Sequence, residues 1–215
     1  MTQYSGMSVQ RDGNVYRTLR ETREAVVDVG IEVDPHAPRR TPDLQTGLAF
    51  FDHMLEMLGW YADLVVDASY EVKTFRLMHV VMEDVGLAFG AATAQILRDR
   101  IAEGVESSGF AHGMMDEATA FSQVSFEGRS LAVVNREDAA AFERVEDVLC
   151  VDLVAFFEGF SQGSRATVHL DLQRGRDPHH AWEAGFRAFA RALRAALSPN
   201  PRRAGMTAGV KGTLD

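Results

Sequence analysis

A His-x-x-x-Glu motif occurs twice, as His79–Glu83 and His179–Glu183, about 100 residues apart, each time at the head of an apolar run with helical spacing. In the second copy Pro178 suits the first turn of a helix, where its missing N–H costs nothing. Phe186, Phe189, Ala190, Leu193 and Leu197 carry that stripe onward, as Val85 to Leu97 do in the first copy. Upstream of each motif lies a matching pair of phenylalanines, Phe50-Phe51-Asp52-His53 and Phe156-Phe157-Glu158. Self-similarity at one offset marks a duplicated unit, so the chain is expected to fold as two related halves. At i and i+4 a His and a Glu share one helix face, while His180 lies about 100° further round at 3.6 residues per turn. An imidazole and a carboxylate on one face suit Zn, Mn or Fe, and the offset His180 suits a different centre. Taken singly, a His-His pair at a helix start is also what a solvated cap region looks like; the second copy is what argues for ligands. Glu83, within Met82-Glu83-Asp84-Val85, is costly to bury without a partner, which calls for a cation or solvent beside it.

The 215 residues, 46% of them hydrophobic, suffice for one sizeable domain or two fused halves. A formal net charge of −9 argues against nucleic acid as a partner, since neutralising phosphates takes clustered Lys and Arg. The single cysteine, Cys150, sits in the apolar run Val148–Val151 and reads as a buried thiol, in keeping with a reducing cytoplasm. The first residues lack a basic-then-apolar signal pattern, and no stretch reaches about 18 apolar residues. A soluble cytoplasmic protein without a membrane partner is expected.

In chain order, residues 1–14 read as a loose tail or a turn. Alternation of Val27, Val29, Ile31 and Val33 with polar neighbours or Gly30 predicts a half-buried strand, and Pro35–Thr41 a loop. A helix is expected from Leu48 to Leu58, closed by Gly59. Leu64–Val72 is rich in β-branched and aromatic residues and predicts a strand. Gly104, Gly109 and Gly113 mark 101–114 as mostly loop. Two strand candidates between Thr119 and Val134 flank Glu127-Gly128-Arg129, a hairpin signal. Helix Val151–Phe160, strand Ala166–Leu172 and helix His179–Leu197 then repeat the order of the first half. The domain plan is a tail (1–14), a first half (15–105), a second half (106–198) and a C-terminal tail (199–215) in one compact domain. The fold class is α+β, each half a sheet with helices packed on one face.

Several ordered motifs resemble the imidazoleglycerol-phosphate dehydratase family. They are Arg17-Thr18-Leu19-Arg20-Glu21-Thr22, Thr46 to Leu55 with Asp52-His53, Glu83-Asp84-Val85-Gly86, Met115-Asp116-Glu117-Ala118, and Asp177-Pro178-His179-His180 with Glu183-Ala184. The resemblance spans about Arg17 to Lys211. It implies a duplicated α+β unit (ribosomal protein S5 domain 2-like), homo-oligomers built from trimers, and two Mn ions at subunit interfaces that serve dehydration of imidazoleglycerol phosphate in histidine biosynthesis. One centre would use His53, His179 and Glu183; the other His79, Glu83 and His180. Glu21, Asp116 and Glu117 would be the substrate-contacting acids, and Arg129, Arg187 and Lys211 the anion-binding groups.

The chain departs from the family pattern in a consistent direction. Each centre lacks one nitrogen ligand, where Val80 and Ala155 stand in place of histidines, and neither offers a donor atom. Ser107 stands for an Arg of the phosphate loop, Gly209 for a Ser near the C-terminal Lys, Tyr61 for a His, and Leu77-Met78 for an acidic pair. His169 is expected to be structural, His36 and His112 surface residues. The resemblance therefore implies a diverged metal-dependent hydro-lyase on a phosphorylated imidazole-type or related small molecule, with Mn as the metal and Zn or Fe as alternatives. The competing class is a catalytically impaired homologue with a binding or assembly role.

Overall fold

The computed structural model describes residues 6–35, 39–136, 142–210 and 212. The first half comprises β1 (Gly6–Asp12), β2 (Val15–Glu21), β3 (Ala25–Val33), β4 (Leu44–Gln45), α1 (Ala49–Ala62), β5 (Leu64–Val72) and α2 (Met78–Arg100). The second comprises β6 (Ser108–Met115), β7 (Ala118–Ser125), β8 (Leu131–Asn135), the short pair β9 (Arg144–Val145) and β10 (Val148–Leu149), α3 (Cys150–Ser164), β11 (Thr167–Arg174) and α4 (Pro178–Leu197). One sheet runs β1-β2-β3-β5-β4 and the other β6-β7-β11-β8. Without β1 the two orders superpose, and the last strand of each, β4 or β8, lies parallel to its neighbour β5 or β11. This is the duplication that the repeated motifs foretell, in an α+β fold.

Each helix lies on its own sheet and touches a helix of the other half: α2 meets β2, β3 and α3, while α4 meets β6, β7, β11 and α1. The core at this junction is aromatic, with Phe51, Phe89, Phe156, Phe157, Phe160, Phe186 and Phe189 fully buried. Phe156 stacks on Phe186 at 5.5 Å and meets Phe51 edge-on at 5.5 Å, the offset and T-shaped geometries that ring quadrupoles favour. Small residues set the α2–α3 distance. Cβ atoms added to Gly86 and Gly90 would overlap the carbonyl oxygens of Phe156 and Phe160, and those added to Gly159 and Gly163 would overlap those of Glu83 and Leu87. Helix α2 is long and apolar enough to cross a bilayer, yet 78% of that stretch is buried inside the fold, as befits a core helix.

Four local expectations are corrected. Gly6–Asp12 is no tail but a strand, β1, paired along its whole length with β2. The stretch expected to be loop around Gly109 and Gly113 is β6; Cβ atoms there would overlap the Ala192 and Ala184 carbonyl oxygens, so these glycines serve close helix–sheet packing rather than a turn. Helix α1 runs past Gly59 to Ala62 and is closed by Asp63 at φ 58°; Gly59 is bare because a Cβ would press on the Leu64 carbonyl at 3.2 Å. Strands β7 and β8 exist but form no hairpin, because β11 lies between them, antiparallel to β7 and parallel to β8. Phe126, buried beyond β7 with its N–H bonded to the Ser107 carbonyl at 3.0 Å, carries the chain away from a tight turn.

Candidate metal centre

The start of α4 is built from its own sequence. Asp177 caps it, accepting the His179 N–H at 2.8 Å, with Pro178 next, the side chain and the ring each suiting a first helical turn. One turn on, Glu183 is buried, its side chain only 4% exposed. Its Oε2 lies 3.3 Å from His179 Nε2 and 3.6 Å from Nε2 of His53, which α1 brings across the helix junction. The three ligand atoms lie within 4.8 Å of one another, the one such group of His, Cys, Asp and Glu among the described residues. Atoms that each sit about 2.0–2.2 Å from one ion, at angles of about 90–110°, are about 3.0–3.5 Å apart. Two imidazoles and a buried carboxylate whose ligand atoms lie this close together are therefore a donor set that fits Mn, Zn or Fe. The other carboxylate oxygen of Glu183 is held by Arg187, which also donates to the Met114 carbonyl at 2.9 Å and lies over the Tyr61 ring at 5.0 Å. Arg187, expected to bind an anion, has its terminal nitrogens engaged inside the chain.

Two hairpin turns press on the His-His pair. The β6–β7 turn offers Glu117, whose Oε2 meets His180 Nδ1 at 2.8 Å, and Asp116, 3.7 Å from His180 Nε2. Glu117 also accepts the Arg176 and Asp177 N–H groups at 2.9 and 3.1 Å. The His180 hydrogen bond, followed by these backbone donors, lowers the Glu117 carboxyl to about 2, and the same hydrogen bond raises the His180 pKa. The β9–β10 turn offers Glu146, whose Oε1 is 3.1 Å from His179 Nδ1. Its neighbour Asp147 accepts the Ala49 and Phe50 N–H groups at 2.7 and 3.0 Å, and so caps α1, whose own cap position, Leu48, makes no side-chain cap bond. Sequence reasoning missed Glu146 and Asp147, because a Glu-Asp step between Val145 and Val148 is not among the dipeptides that mark a two-residue hairpin.

His79 and Glu83 stand a turn apart on α2 with 4.0 Å between Nε2 and Oε2, and His79 Nδ1 lies 3.7 Å from Asp152 of α3, a third residue not singled out in the sequence. The structure thus gathers His53, His179 and Glu183, whereas His180 and the His79–Glu83 pair keep separate partners within the chain. Ala155 is buried and Val80 half-buried. Of the remaining expected residues, Glu21 accepts Lys73 at 2.6 Å, Arg129 is exposed in the β7–β8 connection, and Ser107 is buried at φ 60° with its hydroxyl on the Glu106 carbonyl at 2.6 Å. His169 is exposed on β11, and the ring of His112 meets Phe121 at 4.8 Å. Lys211 and His36 lie outside the described residues.

Comparison with known proteins bears on the family. The sequence profile of the family described as imidazoleglycerol-phosphate dehydratase matches residues 46–193. The chain is 37% identical over 196 residues to the imidazoleglycerol-phosphate dehydratase of Koribacter versatilis, covering 91% of this chain and 96% of that one. It is 35% identical over 210 residues to that of Acidiphilium cryptum, covering 96% and 100%. Among solved structures, the imidazoleglycerol-phosphate dehydratase of Staphylococcus aureus superposes with a TM-score of 0.73 at 27% identity, over 86% of this chain and 99% of that one. That of Pyrococcus furiosus superposes with a TM-score of 0.70 at 28% identity, over 85% and 94%. With motifs, fold and matched residues in accord, the chain belongs to the imidazoleglycerol-phosphate dehydratase family.

Proposed function

We propose that this chain is a metal-dependent hydro-lyase that removes water from imidazoleglycerol phosphate or a related phosphorylated imidazole-type small molecule. The observation that carries the reading is the convergence of His53, His179 and Glu183 on one point across the α1–α4 junction. A bound Mn, Zn or Fe would supply Lewis acidity toward an azole and hold the charge that develops on it. Around it the protein's own groups have separable tasks. Arg187 fixes the Glu183 carboxylate so that Oε2 faces the two imidazoles. Glu117, ionised at neutral pH, holds His180 Nδ1 and leaves Nε2, which faces Asp116 at 3.7 Å, as the ligand or proton-transfer atom. Asp116 and Glu21 are the further acids proposed to meet substrate, with Arg129 and Lys211 for its phosphate.

In this reading the second donor set, His79 and Glu83 with His180, is completed between neighbouring copies of a cytoplasmic homo-oligomer built from trimers. A role in binding or assembly without turnover is the alternative, favoured by Val80 and Ala155, which have no donor atom where the family resemblance expects histidine. Metal analysis of the purified protein separates the two. About one or more equivalents of Mn, Zn or Fe per chain, reduced in His53→Ala and His179→Ala, is expected; fewer than about half an equivalent in the wild type rules out the enzyme reading. Turnover is then assayed with imidazoleglycerol phosphate itself.

A further inference from the structure

We infer that Glu146 is a positioning residue for the centre, acting through His179, and that the β9–β10 turn orients both helices that supply ligands. The inference rests on the metal reading of His53, His179 and Glu183. The geometry of the turn points to it. Glu146 is the first residue of the two-residue β9–β10 turn and takes the left-handed region at φ 47°, the conformation that tight hairpin turns use and that glycine adopts more freely than a residue with a Cβ. Its carboxylate is aimed at His179, with Oε1 3.1 Å from Nδ1, while Nε2 of the same ring lies 3.3 Å from Glu183 Oε2. A carboxylate on the outer nitrogen fixes the tautomer and the ring plane and raises the basicity of the inner nitrogen. The ring is held on a third side by the edge of Phe50 at 5.1 Å. The adjacent Asp147 completes the arrangement from the same turn: by capping α1 at Ala49 and Phe50 it fixes the helix that carries His53. One two-residue turn thus sets the positions of the imidazoles on both sides of the junction, although neither acid is itself a ligand.

The test uses the full-length protein and the variants Glu146→Gln, which keeps an acceptor without the charge, and Glu146→Gly, which also relieves the backbone. Affinity is read with Co(II) and Zn(II) alone by chelator competition, together with the Co(II) ligand-field spectrum. The 15N shifts of the His179 ring are read in the metal-free state. Affinity is expected to fall in the order wild type, Gln, Gly, by about ten-fold overall, since Glu146 is 59% exposed and outer carboxylates typically contribute about 10- to 100-fold. The melting temperature of the metal-free Gly variant should be unchanged or higher, an outcome opposite to that of a merely structural residue. His179 should lose its Nδ1–H tautomer in the Gly variant. Affinity and spectrum equal to wild type in both variants, with His179→Ala still lowering metal binding, overturn the role of Glu146 and leave the metal reading intact. A wild type that takes up neither ion overturns the metal reading; the ring shifts then decide alone whether Glu146 orients His179, and unchanged shifts in the Gly variant refute it.

Discussion

His179 and His180 are neighbours in sequence, yet each has its Nδ1 taken by a different carboxylate, Glu146 at 3.1 Å and Glu117 at 2.8 Å. Adjacent helical positions point about 100° apart, so the two rings reach different hairpin turns and present Nε2 to different surroundings. The His180–Glu117 pair carries a pH signature. Glu117 is depressed, so its contribution is present above its ordinary value of 4.5 and is lost as the pH falls toward about 2. His180 is raised, chiefly by the Glu117 hydrogen bond with help from Asp177 and Asp116, so its contribution is complete below the ordinary 6.5 and is lost as the pH rises through its folded value. The pair therefore supports the α4 start best between 4.5 and 6.5. In metal-stripped protein the melting temperature of the wild type should fall on going above that window, and Glu117→Gln should flatten the fall. Parallel thermal scans of the two proteins from pH 5 to 9 check this, and identical slopes would contradict it.

At the scale of elements, the α2–α3 crossing is the contact on which the two halves depend. Gly86, Gly90, Gly159 and Gly163 bring backbone against backbone, with Cβ positions that would overlap carbonyl oxygens. Helix propensity by itself makes Gly→Ala stabilising by roughly 0.5–1 kcal/mol. The packing term has the opposite sign, since a methyl at Gly163 must push α3 off α2 and strain the phenylalanine layer, at about 1–3 kcal/mol. Gly163→Ala should thus lower the unfolding free energy by about 1–2 kcal/mol in chemical denaturation, and a gain in stability would show that the crossing is looser than the geometry requires. The same crossing explains why α2 can be apolar on nearly every side: it has α3 on one face and the first sheet on another.

For the molecule as a whole, several large apolar side chains stand exposed on the single chain. Phe75 and Leu77, 76% and 56% exposed, precede His79 and its exposed neighbourhood, and Phe110 and Met114 stand out from β6. Patches of this kind mark interaction surfaces. Since His53, His179 and Glu183 meet within one chain while His79, Glu83 and His180 do not, the two donor sets should respond differently to assembly. Light scattering is expected to show an oligomer. Dilution below its dissociation point should release the metal of the divided set first and spare the intrachain one, as read by metal content against concentration. A protein that is monomeric at every concentration removes the shared centre.

The duplicated plan, the α+β class and helix α4 with its His-His pair were determined by the sequence itself, because periodic apolar stripes, a Pro after a capping Asp and a repeated His-x-x-x-Glu are local patterns that burial and hydrogen bonding read out directly. Glycine was where local reading failed: Gly109 and Gly113 look like turn residues, but their missing side chains answer to the α4 backbone above them. The pairing of β8 with β11 rather than β7 was equally illegible, since strand order depends on what fills the space between distant segments. The same holds at the site. Sequence supplied the imidazoles and Glu183, and the family resemblance already grouped His53 with His179 and Glu183; that Glu146 and Asp147 reach His179 and α1 from a turn more than 30 residues before α4 was decided only in three dimensions. Hydrogen bonds between side chains far apart in sequence leave no periodic trace; they exist because the packed layers bring those groups within 3 Å or so of each other.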